Sequence, residues 1–164
     1  MTSGITATKA HDALLIDATD RRIVGELAAD GRLSFAELGR RVSLSPPAVA
    51  ERVQRLERTG VITGYRAEID PRAVGYPLTA IVRIKPSPGR LPKIAELARE
   101  LPEVAECHRI TGEDCFFMTV YLRSIEELGP LLDRFLDFGQ TTTSIVNGTP
   151  VARRSPPVLG LQPA

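Results

Sequence analysis

Between Arg32 and Arg66 the chain carries seven arginines against three glutamates, a local charge of +4 in a chain of 164 residues whose total is +1. A guanidinium group offers five N–H donors in a planar fork, which suits phosphate oxygens and the acceptor edge of guanine. A balanced total neither suggests nor excludes nucleic acid; a local basic patch is what a polyanion meets. Ser45 followed by Pro46 reads as a helix start, with the serine as cap and the proline where its missing N–H costs nothing. Val49, Val53 and Leu56 then form a buried stripe. At about 100° per residue, Pro47, Ala48, Glu51, Gln54, Arg55 and Arg58 fall on the opposite face, with Arg52 on the flank. Pro47 and Ala48 are small enough for close approach. Glu51, Gln54 and Arg55 can hydrogen-bond base edges, whereas Arg40, Arg41, Arg52 and Arg58 suit phosphates, which fix position and supply salt-dependent affinity; Ser34, Ser45 and Pro46 at the helix starts complete the expected DNA-binding set.

Elsewhere reactive chemistry is sparse. Glu106, Cys107 and His108 are metal-ligand types, but successive strand residues face opposite sides and cannot all converge on one ion, so no metal site is expected. The sequence contains no HExxH and no phosphate-binding glycine loop, and no nucleophile–base pair is evident. Neither catalysis nor a cofactor is therefore expected. Cys107 and Cys115 are the two cysteines; without a CxxC they are either ordinary buried small residues or redox or ligand groups. Glu113 and Asp114 form an acidic pair that is either a solvated turn or a holder for the amino group of a ligand.

The elements that position these residues follow from periodicity. A first helix is expected over about Asp20 to Ala29, capped by Asp17, Thr19 or Asp20. Its apolar face is Ile23, Val24, Leu27 and Ala28, and Gly31 closes it in the left-handed conformation. A second helix begins at Ser34, which has capping-box spacing to Glu37 and is followed by Leu38 and Val42 on one face. Ser43-Leu44 breaks the run before the Ser45 helix, and Gly60 ends that one. This is a helix-turn-helix layout, in which the second helix of the motif lies in the major groove of duplex DNA. Residues 61–69 alternate like a strand and are expected to form a short wing.

The second half reads as strand 78–85, helix 91–101, strands 104–110 and 115–122, a helix from a Ser124/Glu127 capping box to Phe135, and strand 142–146. This βαββαβ order is ferredoxin-like, an antiparallel sheet with helices on one face. The fold class is α+β. The domain expectation is a flexible arm over 1–13, a winged helix-turn-helix over 14–69, a linker over 70–77, the ferredoxin-like domain over 78–150 and an extended tail over 151–164. The uncovered sheet face calls for a partner subunit, and a dimer suits paired DNA half-sites. No apolar run approaches the roughly 18 to 20 residues that span a bilayer, and no signal-peptide layout opens the chain, so a cytoplasmic protein without membrane contact is expected.

Several stretches, in order and spacing, resemble the Lrp/AsnC family of feast/famine regulators: LLIDATDRRIVGEL, DGRLSFAELGRRVSLSPPAVAERVQRLERTGVITGYRAEID, LPEVAECHRITGEDCFFMTV and TTTSIV. The resemblance spans about Leu15 to Pro150. It implies a transcription regulator with a winged helix-turn-helix on a ferredoxin-like effector domain that dimerises and commonly assembles into octamers or similar rings. It also implies amino-acid effectors bound between dimers. Carried across, the effector residues are Thr111, Gly112, Glu113, Asp114 and Cys115, with Thr141, Thr142, Thr143 and Ser144 as a second wall. The family often reads Gly-Asp-Tyr-Asp at this loop, so Cys115 stands where a second aspartate is usual. The alternative is a small-molecule-binding or enzymatic domain whose helical part mediates protein contacts.

Overall fold

The computed structural model describes residues 16–158, so the arm expected over 1–13 and the last six residues of the tail lie outside the described residues. The chain divides into two units, one running to Ala67 and resuming at Arg153, the other from Glu68 to Ala152. The segment read as a linker therefore counts with the second unit, where Arg72–Val74 forms a 3-10 turn closed by Gly75 at φ 95°.

Among the described residues the first unit has three helices: α1 (Ala18–Ala29), α2 (Phe35–Val42) and α3 (Pro46–Arg58). α1 starts on a full capping box. Asp17 accepts from the Asp20 amide at 2.7 Å, and Asp20 accepts from the Asp17 amide at 3.1 Å. It ends differently from expectation, because Asp30 is extended and its carboxylate accepts from the Arg32 amide at 2.9 Å, with no left-handed residue at Gly31. In α2, Ser34 accepts from the Glu37 amide at 3.2 Å, but Glu37 does not complete the box; its carboxylate is held by Arg40 and Arg41. Ile23, Leu38, Val42, Val49, Val53 and Leu56 are the fully buried core. Truncating a buried leucine such as Leu38 costs about 2–5 kcal/mol in general, so these six positions set much of the unit's stability. Ala28, expected on the apolar face, is exposed.

The expected wing is not formed: 63–70 carry no regular structure. A strand needs a ladder partner, and the described part of this unit contains helices and no strand. The segment is instead tied back to α3, where the Tyr65 hydroxyl donates to Glu57 Oε1 at 3.0 Å.

The second unit runs β1 (Leu78–Pro86), α4 (Leu91–Glu100), β2 (Val104–Arg109), β3 (Phe116–Leu122), a 3-10 turn (Ile125–Glu127), α5 (Leu128–Asp133) and β4 (Gly139–Ile145). The sheet order is β2-β3-β1-β4 and every pairing is antiparallel, the ferredoxin-like arrangement expected. Ala80, Val82 and Ile84 of β1 and Phe116, Met118, Val120 and Leu122 of β3 meet Ile94 and Ala98 of α4, Leu131 of α5 and Phe135. The alternate residues Ile81, Arg83, Phe117, Thr119 and Tyr121 are half-buried and share the other face. The Ser124/Glu127 box does not form, because Glu127 is taken by the Arg123 amide at 2.9 Å and by Arg123 Nε at 2.6 Å. The last strand begins three residues before the expected Thr142. Among the described residues no helix is long and apolar enough to cross a membrane.

Candidate nucleic-acid interface and ligand loop

The angle between α2 and α3 is set by a three-residue turn, Ser43, Leu44 and Ser45. Ser43 caps α2 in the left-handed conformation (φ 61°, ψ 45°), and the Leu44 amide donates to the Gly39 carbonyl at 2.9 Å. The chain folds back so tightly that a Cβ on Gly39 would lie 2.6 Å from the Leu44 carbonyl oxygen. Ser45 then caps α3, accepting from the Ala48 amide at 3.5 Å, with Pro46 at the first helical position. Ser34 and Ser45 are thus spent on helix starts and position the motif through them.

α3 buries Val49, Val53 and Leu56 as expected and leaves Pro46, Pro47, Glu51, Gln54, Arg55 and Arg58 exposed, with Ala48 and Arg52 half-buried. Ala48, Glu51, Arg52, Arg55 and Arg58 line one shallow concavity of about 330 Å³ together with Leu44. Gln54 projects from the same helix outside that concavity.

The arginines are less free than the segment charge implies. Arg40 and Arg41 both hold Glu37, at 2.7 and 2.9 Å, and Arg41 also reaches Glu26 on α1 at 2.8 Å. Hydrogen bonds from Arg40 first and then Arg41 hold the Glu37 carboxyl at about 2, well below the ordinary 4.5. Glu37 is already counted in the +4, but the upstream carboxylates Glu26, Asp17 and Asp20 lie outside that window. Exposed pairs of this kind are weak; the Arg40 side chain is 74% exposed. Among the described residues Arg58 has no ion-pair partner.

One buried ion-pairing residue escaped the sequence reading except as a cap. Asp20 on α1 is 1% exposed, and its two oxygens receive Arg52 Nη1 at 2.8 Å and Arg55 Nη2 at 2.6 Å. Arg52 Nη1 also contacts Asp17 at 2.6 Å, and that bond is the main cause holding the Asp17 carboxyl below its usual range. The partners are 32 and 35 residues apart, so no local pattern reveals them.

In the second unit, Thr111, Gly112 and Glu113 are exposed, and Asp114 and Cys115 are half-buried. The Cys115 amide donates to Ile84 at 2.9 Å and its carbonyl accepts from Ile110 at 3.0 Å, anchoring the loop to β1. The acidic pair faces cations, with Asp114 3.3 Å from Arg83 and Glu113 3.6 Å from Lys85. The expected second wall splits. Thr142 and Ser144 pair with Arg83 and Ile81 on the uncovered face, whereas Thr141 and Thr143 pair with buried Ile84 and Val82 on the helix side. Thr143 Oγ1 is buried without a hydrogen-bond partner. Cys107, read as either a buried small residue or a reactive group, is an exposed free thiol. His108 pairs with Glu106 at 3.1 Å, two residues along the same strand.

Known proteins share both units. The AsnC-type helix-turn-helix domain matches residues 16–57, and the Lrp/AsnC ligand-binding domain matches residues 79–156. The HTH-type transcriptional regulator LrpC of Bacillus subtilis is 34% identical over 80% of this chain and 91% of its own length. LrpA of Mycobacterium tuberculosis, also an HTH-type transcriptional regulator, is 43% identical over 73% of this chain and 80% of its own. The solved structure of B. subtilis LrpC superposes with a TM-score of 0.79 at 32% identity, covering 84% of this chain and 99% of that one. A feast or famine regulatory protein from M. tuberculosis complexed with L-methionine superposes with a TM-score of 0.80 at 37% identity, covering 86% and 98%. With both halves matched in order and relatives aligned over most of its length, this chain belongs to the Lrp/AsnC family of transcriptional regulators.

Proposed function

We propose that this protein regulates transcription by placing the outward face of α3 in the major groove and that an amino acid bound in the second unit modulates it. The observation that carries the reading is the capped α2-turn-α3 unit, whose second helix leaves Glu51, Gln54, Arg55 and Arg58 exposed on one side. Glu51, Gln54 and Arg55 read bases, while Arg40, Arg41, Arg52 and Arg58 meet phosphates.

The ligand loop supports the effector reading through its charges. Arg83 and Lys85 beside Asp114 and Glu113 offer both signs within one site. A zwitterion replaces both internal pairs at once, its carboxylate on the β1 cations and its ammonium on the loop acids. The L-methionine complex of the M. tuberculosis relative supports an amino acid as the ligand. The second aspartate of the family loop is absent here, so Asp114 and Glu113 take the ammonium without help from Cys115. The apolar and aromatic side chains on the uncovered sheet face, Ile81, Phe117 and Tyr121, support a homodimer; assembly of dimers into octamer-like rings rests on the family resemblance. A cytoplasmic setting fits a DNA-binding regulator.

The test is fluorescence anisotropy with the DNA upstream of the protein's own gene and a scrambled duplex, with and without a panel of L-amino acids. The expected result is binding at least about 10³-fold tighter to the specific duplex, and a change of about 5-fold or more with one amino acid, lost in Asp114→Asn. Equal binding to both duplexes contradicts the DNA reading. Ligand binding that alters neither DNA affinity nor assembly contradicts the regulatory one.

A further inference from the structure

The buried carboxylate of Asp20 is an unusual use of charge. It lies at the first turn of α1, not on the DNA-facing helix, and is 1% exposed. A buried carboxylate is costly unless it is paired and hydrogen-bonded. Asp20 is both, with each oxygen on a different arginine of α3 and Oδ2 also capping the Asp17 amide. Four charges, Asp17, Asp20, Arg52 and Arg55, thus form one neutral cluster joining the two helices.

The arginine ends of this cluster differ. Arg52 is engaged twice through Nη1 and its side chain is 29% exposed. Arg55 is engaged once through Nη2 and is 48% exposed. A guanidinium has five N–H donors, so Arg55 keeps Nε and Nη1 for a ligand while one corner is fixed. A long arginine side chain loses rotamer freedom when it is fixed, and an anchor that holds it before binding removes part of that loss at the moment of recognition.

Building on the assignment of α3 as the DNA-reading helix, we infer that Asp20 is a positioning residue for sequence discrimination. It never touches DNA, and it fixes the Arg55 guanidinium so that its free N–H groups meet a base edge in one orientation. The chemistry it favours is a paired acceptor edge, such as O6 and N7 of guanine. Phosphate contacts tolerate a range of orientations, and Arg52, the phosphate group that Asp20 also holds, keeps Asp17 as its second partner.

The role is tested with a duplex selected from a random pool by the unmodified protein and a scrambled duplex of equal length. Asp20→Asn is expected to lower the ratio of specific to scrambled affinity about 10-fold and to leave the salt slope unchanged. In an Arg55→Ala background the same substitution is expected to have no further effect on the ratio. An unchanged ratio, or an equal loss with and without Arg55, overturns the role of Asp20. Failure of the unmodified protein to discriminate the two duplexes overturns the assignment of α3 itself, and the role with it.

A second measurement holds even where Asp20→Asn does not fold. In the unmodified, DNA-free protein, ¹⁵N relaxation of the arginine side chains is expected to show Nε of Arg55 as restricted as that of Arg52. Arg58, which has no ion-pair partner among the described residues, serves as the mobile reference. Arg55 as mobile as Arg58 overturns the proposal.

Discussion

Gly39→Ala is expected to destabilise the helix-turn-helix unit by about 3 kcal/mol, the upper end for overpacking a close contact, and to abolish sequence-specific DNA binding. The added methyl meets the Leu44 carbonyl oxygen at 2.6 Å. That oxygen is backbone, so it cannot swing aside as a long side chain would. Relief requires opening the turn, but the turn is closed by the Leu44 amide on the Gly39 carbonyl itself and by left-handed Ser43. Opening it rotates α3 against α2 and pulls Val49 and Val53 from their seats beside Leu38 and Val42. Urea unfolding followed by circular dichroism gives the stability change, and anisotropy gives the binding change. A loss below about 1 kcal/mol with DNA binding retained would show that the turn is not held this way.

Gly139→Ala is expected to cost a similar amount, about 3 kcal/mol, in the other unit. Its Cβ would run into the Lys85 carbonyl oxygen and fall 2.9 Å from the Pro86 Cα, both backbone atoms. Gly139 is the first residue of β4 and is paired with Pro86, the last of β1. Pushing these ends apart loosens the register that places Thr142 opposite Arg83 and Ser144 opposite Ile81. Amide hydrogen exchange is the sensitive readout: protection of the β4 amides falls, while the amides of α1, α2 and α3 keep theirs. Unchanged protection along β4 contradicts the close approach.

These two glycines mark the border of what is legible in the residues alone. The helices and most strands are readable because their signals are local: serine caps at Ser34 and Ser45, the Val49-Val53-Leu56 stripe, and the alternation of β1 and β3. What is not readable depends on groups distant in sequence. The start of β4 at Gly139 follows from its pairing with Pro86, so β-branched content pointed to Thr142 instead. The wing was expected from alternation, but alternation does not supply a partner strand. The ion pairs that span the chain show the same limit, since Asp20 is 35 residues from Arg55; Glu37, only three residues from Arg40, lay within local reach but was read as a cap. The family resemblance pointed to both units, which the family matches bear out, and to the loop as the effector site. It did not reveal that Asp114 and Glu113 face Arg83 and Lys85, which is a property of register between β1 and the loop.

The central claim is that α3 reads bases through its outward face. The most direct test is to measure affinity for every single-base substitution of the selected duplex, for the unmodified protein, Gln54→Ala and Arg58→Ala. For Gln54→Ala the account predicts that preference collapses at one base-pair position of each half-site, by about 1–3 kcal/mol, and persists at the others. For Arg58→Ala it predicts a uniform loss across all sequences with the salt slope reduced by about 1. A uniform loss for both variants, or no loss for either, would contradict it.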